Sequence, residues 1–584
     1  MTTSRADLPV IVDRAAATPL ATQISTQVRA AVTAGVLNTG DRLPSTRHLA
    51  TGLGVSRTVV TTAYARLFAE GWLEGRHGSG TYIADVSPAS AAPAAPAAPA
   101  APAQPPPQHV DCAIDHNRAG RLRNRPSEPA PLTADLRPGV PWAAGIEAAV
   151  WRRAWRHAGT RPPSLWPDPH GLPELRTELA AYLRRSRGLS VTPAHILVTR
   201  GVSAGLTLLA AALLRPGDKA GLEEPGYPAA REVLRRAGAQ VVPCRVDAHG
   251  IIPDELPGDL RLLYTTPAHQ YPLGGRLPVG RRQALVAWAR RCGAIVVEDD
   301  YDSEFRYDVG PLPALYSMDP EVIVYLGTAS KVLAPGFGAG WLIAAPGLVE
   351  RLAELRPALG ERVPEPVQHA FLALLTSGDL ERHIRKMRLE YARRRAALVD
   401  ALTDAPPEPG MFRLLGDTAG MHLVLELPAG FPAGRLVAAA AERGVGLWTV
   451  DRYFAGQPTL SGLILGYGAA PLTQIRRAAS ELGPLLSSCL LGGDRQCVGC
   501  GQRGWQFPRV DLQHVRSRQP VGVDPARPDV DAAGYLRGAE VATARPEHPA
   551  ALGVRDQIAG RLASRPAARH SPRVQPVHDV VGAD

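Results

Sequence analysis

Apolar side chains recur every three to four positions through the first seventy residues. Leu20, Ile24, Val28 and Val32 fall on one helical face, and Gly35 closes that run. Ser45 in LPSTRHLATGLGV is placed to cap a second, short helix. Ser56 in VSRTVVTTAYARLFAEGWL is placed to cap a third, with Val60, Tyr64, Leu67 and Phe68 expected on its buried face. The period then shortens: GWLEGRHGSGTYIA predicts two short strands around a glycine turn.

Three helices followed by a two-stranded wing is the plan of a winged helix-turn-helix. A different pattern begins near Pro131 and lasts to about Leu486. Short apolar runs (ILVTRG, KAGLEEPGYP, LRLLYTTP, AIVVEDDY, VIVYLGTASK) alternate with helical stretches. Such alternation predicts an α/β domain with a largely parallel sheet, whose functional residues gather at the carboxyl ends of the strands. Between the two patterns lies SPASAAPAAPAAPAAPAQPPPQHV, from Ser87 to Val110, without a charged residue. Its recurring prolines forbid a helix and favour an extended spacer of about 3.1 Å per residue. The expected organisation is a DNA-binding unit over 1–86, a linker over 87–130, an α/β domain over 131–487 and a largely disordered tail over 488–584, with a short helix near Ala551–Ser564.

Composition adds little to this. Lysine plus arginine exceed aspartate plus glutamate by 65 − 55 = +10, which permits contact with nucleic acid without establishing it. Six scattered cysteines in 584 residues do not form a disulfide framework, so a reducing cytoplasm is expected. The CVGC pair at Cys497 and Cys500 has only Cys489 and His514 nearby, at unfamiliar spacing, and no metal is expected. The N-terminus has no signal-like apolar stretch. The run from Val202, VSAGLTLLAAALL, is shorter than the roughly 20 residues of a membrane span, so a soluble protein without membrane contact is expected.

The third helix carries Arg57, Thr58, Thr61 and Thr62 opposite its apolar face, types that reach base edges and phosphates in a major groove. A merely solvated helix face is the ordinary alternative. In the α/β region, Lys331 follows YLGTAS, Asp299 and Tyr301 stand together in VVEDDYDSEF, Tyr227 lies in EEPGYP, and Gly201 joins a strand to a helix in VTRGVSAGL. Each alone has an ordinary structural reading. Together they match the needs of pyridoxal 5′-phosphate. Those are a lysine to form the Schiff base, a carboxylate to keep the ring nitrogen protonated, a phenol for the ring oxygen, an aromatic over the ring face, and a helix N-terminus for the phosphate.

The order LPSTRHLA, VSRTVV, GWLEGRHGSGTY resembles the GntR-type winged helix. That resemblance implies DNA contacts at Arg47, Arg57 and Thr58, and at His77 and Gly78 in the wing. The second domain resembles the class I aminotransferases, a fold type I architecture. The whole from about Pro19 to Leu486, including DPHGLPELR and LERHIRKMRLEYARRR, resembles the MocR family of transcriptional regulators. The family resemblance implies a head-to-tail homodimer on operator DNA and a small amine or amino-acid-like effector exchanging at Lys331. It further implies that Asp299 (with Asp300 as the alternative) holds the ring nitrogen and that Tyr301 bonds the ring oxygen. Tyr227 would stack on the ring, and the backbone of Gly201, Val202 and Ser203, with Thr328, would cradle the phosphate. His269 and Gln270 sit in the segment that passes the ring. Two departures stand out. Gly338 occupies the position of the family's phosphate-binding arginine, for which Arg200 is the expected substitute. Leu463, Ile464 and Leu465 occupy the stretch where aminotransferases carry an arginine for the substrate carboxylate. A working aminotransferase fused to a DNA-binding domain is the rival reading, and a DNA-binding dimer without cofactor is the third.

Overall fold

The computed structural model describes residues 8–491, except 9, 17, 77–79, 86–131, 308–312, 404–411 and 417–418. The linker expected over 87–130, the wing residues His77 and Gly78, Cys497 and Cys500, and the tail helix expected near Ala551–Ser564 therefore lie outside the described residues.

In the N-terminal unit, α1 (Leu20–Thr33), α2 (Thr46–Leu53) and α3 (Arg57–Glu70) precede the antiparallel pair β1 (Leu73–Arg76) and β2 (Gly80–Ile83). The two serines cap as expected. Ser45 Oγ accepts from the His48 N–H at 3.2 Å, and Ser56 Oγ from the Val59 N–H at 3.4 Å. Gly54, at φ 62°, ends α2 in the left-handed conformation that lets the chain turn into α3. Ile24, Val28, Leu49, Val60 and Leu67 fill the core, and the Tyr64 hydroxyl donates to the Pro44 carbonyl at 2.9 Å. Phe68 departs from expectation, being 40% exposed. At 3.6 residues per turn it is rotated about 80° from Val60, whereas Tyr64 and Leu67 stay within about 40°. Ser56→Ala removes one cap and is expected to lower the local opening free energy of α3 by about 1 kcal/mol, read as faster amide exchange along that helix.

The second domain is built on an eight-stranded sheet. Its strands are β3 (Ile196–Thr199), β4 (Lys219–Glu224), β5 (Gln240–Asp247), β6 (Gly250–Ile251), β7 (Leu262–Thr265), β8 (Ile295–Asp300), β9 (Ile323–Thr328) and β10 (Gly340–Ile343). Their spatial order is β3-β10-β9-β8-β7-β4-β5-β6. The neighbours from β9 to β5 run parallel, while β10 is antiparallel to both β9 and β3. All six residues of β9 are buried, with Ile323 and Tyr325 in one apolar cluster and Val324 and Leu326 in the other. Burial on both faces is why these strands read as continuous apolar runs rather than alternating ones. The expected α/β architecture is thus the observed one. The sequence reading missed β5, the two-residue β6 and the antiparallel β10.

A smaller antiparallel sheet follows, ordered β11-β12-β14-β13: β11 (Arg413–Leu415), β12 (His422–Leu427), β13 (Trp448–Thr449) and β14 (Ser461–Gly466). No helix among the described residues is long and apolar enough to cross a membrane.

Candidate functional site

Strand ends converge on a cavity of about 170 Å³. From β3 the chain passes through Gly201, at φ 125° and ψ −175°, directly into α4 (Val202–Leu213). A side chain is disfavoured at that φ, and a Cβ there would come within 3.5 Å of Thr328 Oγ1. The opening N–H groups of α4, at Val202 and Ser203, therefore border the cavity with the positive end of the helix dipole behind them. Thr328, at the end of β9, closes the same corner, its hydroxyl 3.0 Å from Ser330 Oγ. This corner is built for an anion.

Asp299 and Asp300 end β8 and point to opposite sides of it, as the strand alternation requires. Asp300 faces away from the cavity, ion-paired with the fully buried Arg187 and accepting from Tyr325 Oη at 2.6 Å. Asp299 lines the cavity and accepts from the buried Tyr264 hydroxyl, while its Oδ1 is buried with no partner among the described residues. Burial pushes the Asp299 carboxyl up to about 7, against the opposing pull of the Tyr264 hydrogen bond. A cation or protonated ring nitrogen at Oδ1 would supply the missing partner and hold the group ionised.

Lys331 stands across the cavity, its Nζ donating to the Gly139 carbonyl at 2.7 Å. Burial lowers its pKa, with the Asp302 and Asp299 carboxylates opposing. A larger share of neutral amine makes it a better nucleophile toward a carbonyl. Tyr227 and Tyr301 also line the cavity. Burial first, then neighbouring carboxylates, raise both phenols above their usual range, so both remain protonated donors.

His269 is the histidine expected in the segment beside the ring. It does not line the cavity but stands behind Tyr301, with Nδ1 2.9 Å from Tyr301 Oη and 3.0 Å from Asp302 Oδ2. Gln270 is fully buried and donates from Nε2 to Glu223 and to the Pro225 and Tyr271 carbonyls, bracing the turn. In the same segment Tyr271 lines the cavity, edge-on to both Tyr227 and Tyr301 at 5.9 and 5.4 Å. Tyr271 stands two residues after the histidine singled out in TTPAHQYP. Tyr264 gave no signal, since an aromatic inside an apolar strand reads as core.

At the cavity rim, Arg200 has a half-exposed side chain whose Nε is 3.4 Å from Glu361 Oε1. Gly338 adopts φ 63°, with no atom within 4 Å of a built Cβ. Space for a side chain exists there, at a backbone cost of about 1–2 kcal/mol. Leu463, Ile464 and Leu465 are fully buried in β14, and Arg452 stacks over Trp448 with its Cζ 4.4 Å from the ring centre. The cavity residues fit pyridoxal phosphate: an amine, an unpaired buried carboxylate oxygen, flanking phenols and an anion corner share one small space.

On the N-terminal unit, Arg47, Arg57, Thr58, Thr61 and Thr62 are all exposed on α2 and α3. Arg29, by contrast, is committed to the buried Glu70 at 2.7 Å. The exposed set is the one available to a polyanion.

Comparison with known proteins agrees with both halves. Residues 20–83 match the family described as bacterial regulatory proteins, gntR family, and residues 145–451 match aminotransferase class I and II. The pyridoxine biosynthesis transcriptional regulator PdxR of Corynebacterium glutamicum is 38% identical over 482 residues, 82% of this chain and 99% of that protein. The probable rhizopine catabolism regulatory protein MocR of Rhizobium meliloti is 33% identical over 498 residues, 81% of this chain and 95% of its own. Among solved structures, the α-aminoadipate aminotransferase LysN of Thermus thermophilus, complexed with N-(5′-phosphopyridoxyl)-L-leucine, is 26% identical. It superposes with a TM-score of 0.56 over 61% of this chain and 93% of LysN.

A GntR-type winged helix joined to an aminotransferase-fold domain defines a DNA-binding transcriptional regulator rather than a free-standing transaminase. The chain belongs to the MocR family of these regulators.

Proposed function

We propose that this regulator binds pyridoxal phosphate through Lys331 and reports its occupancy to operator DNA as a cytoplasmic homodimer. One observation carries the cofactor reading: Asp299, whose buried Oδ1 is unpaired among the described residues, lines a cavity that Lys331 and the N-terminus of α4 also line. When bound, the cofactor supplies an electrophilic carbonyl and an electron-withdrawing ring. Lys331 would attach it, Asp299 would hold the ring nitrogen protonated, and Tyr301, oriented by His269, would donate to the ring oxygen. Tyr227 and Tyr271 would bound the ring. The Val202 and Ser203 N–H groups, Thr328 and Arg200 would hold the phosphate. Arg200→Ala is then expected to raise the dissociation constant for pyridoxal phosphate about tenfold or more, as loss of a charge-assisted hydrogen bond does, while leaving that for pyridoxal unchanged.

The ligand that is sensed is, on this reading, the cofactor itself. β14 offers only buried leucines and isoleucine where an amino acid's carboxylate would need a cation, and Arg452 is committed to Trp448. Gly338 in place of an arginine favours exchangeable binding over permanent retention. The relative named for pyridoxine biosynthesis makes that pathway's promoters the first to test. Titration of the purified protein with pyridoxal phosphate, followed by visible absorbance, is expected to show reversible saturation without turnover of any amino acid and keto-acid pair. Tight, non-exchanging cofactor with steady transamination would replace this reading with the enzymatic one. An amine effector displacing the cofactor's link to Lys331 is the second reading, and it would appear as a spectral shift on adding the amine.

A further inference from the structure

Glu361 follows the helix α5 (Pro346–Leu359) and is 4% exposed, which is unusual for a carboxylate unless it is paired. It is paired twice. Oε2 accepts from Arg356 Nε at 2.7 Å, and Oε1 lies 3.4 Å from Arg200 Nε. The two arginines differ. Arg356 is 3% exposed and its guanidinium also donates to the Pro169 and Val198 carbonyls, so it is fixed in place. Arg200 is 56% exposed along its side chain, has a longer contact, and borders the anion corner beside Gly201. Arg356 is thus the closely held counter-ion of Glu361, and Arg200 the loosely held, more exposed one.

We infer that Glu361 is a specificity-determining residue that holds Arg200 in reserve and yields it only to a dianionic phosphate. This rests on the assignment of Arg200 to the phosphate. On this inference the single Nε–Oε1 contact between Arg200 and Glu361 is given up when Arg200 turns to a ligand, so it subtracts from the affinity of every ligand that recruits Arg200. A phosphate dianion offers two charges and several acceptor oxygens against one shared carboxylate, and the exchange is favourable. A single carboxylate offers no more than Glu361 already does, and pyridoxal offers nothing. The loss is tolerated at Glu361 because Arg356 stays. Together with Gly338, the pair keeps phosphate-ester affinity below that of a site with a dedicated arginine, as a sensor that must release its ligand requires.

The test is a set of dissociation constants for pyridoxal phosphate and pyridoxal, measured by visible absorbance on full-length wild type, Glu361→Gln, Arg200→Ala and the double variant. Glu361→Gln keeps an oxygen for Arg356. It is expected to tighten pyridoxal phosphate about two- to fivefold, the range of a partly exposed ion pair, and to leave pyridoxal unchanged. In the Arg200→Ala background that gain should vanish. A gain that persists without Arg200 makes Glu361 a plain repelling charge and overturns the inference, as does no gain at all while Arg200→Ala still weakens pyridoxal phosphate selectively. Arg200→Ala without effect removes the phosphate assignment itself, a separately recognisable outcome. Should Glu361→Gln not fold, wild-type hydrogen exchange across 360–363 decides. A response to pyridoxal phosphate and not to pyridoxal supports the handover, and an identical response to both overturns it.

Discussion

Lys331→Ala is expected to abolish both the visible absorbance of the cofactor-loaded protein and the mass adduct fixed by borohydride, while leaving the fold intact. The Lys331 amine has burial lowering its pKa and Nζ resting on a single backbone carbonyl, that of Gly139, so its removal unpairs only one acceptor. An exposed lysine elsewhere cannot substitute, because it would lack Asp299, the flanking tyrosines and the anion corner. Wild-type protein that stays colourless in excess cofactor would favour the third reading, a DNA-binding dimer that has lost its ligand.

The second large effect is on DNA. Arg57→Ala is expected to weaken specific operator binding by about 1–3 kcal/mol if the side chain contacts a base, or to act equally on all sequences and flatten the salt dependence if it contacts phosphate. Arg57 is the first residue of α3, exposed, and free of ion pairs among the described residues, so its loss leaves the packing of Val60, Tyr64 and Leu67 untouched. Arg29→Ala makes the contrasting control. It is expected to act through stability, since it leaves the buried Glu70 short of its closest counter-ion. Gel retardation at two salt concentrations, with thermal unfolding beside it, separates the two.

Much of this was legible in the sequence for one physical reason. Parallel strands buried on both faces appear as apolar runs, and the residues that break each run lie at or just past the strand's carboxyl end. Lys331, Tyr227 and Gly201 follow the ends of β9, β4 and β3 within three residues, Asp299 is in the last two residues of β8, and all four line the cavity. The failures have equally physical causes. Alternation along VVEDD says that Asp299 and Asp300 face opposite ways, but only the partner of Asp300, Arg187, over a hundred residues distant, shows which one faces the cavity. β10 was hidden because the glycines of its loop read as a break, whereas Gly340 opens a strand inserted between β3 and β9. A histidine in a strand-end loop draws attention, and Tyr271, two residues further on, lines the cavity without having been singled out. Glu361 lay in GERVPEP, where nothing in the pattern distinguishes a buried carboxylate from a solvated one.

The central claim is that occupancy of the Lys331 cavity changes how the winged helices hold DNA. Its most direct test is operator affinity of the full-length protein as pyridoxal phosphate is added, with pyridoxal and the Lys331→Ala variant as controls. The account predicts that affinity, or the protected footprint, changes as wild type saturates with pyridoxal phosphate, and that Lys331→Ala does not respond. Identical DNA binding in the empty and the loaded wild type, at concentrations where the absorbance shows full occupancy, would contradict it.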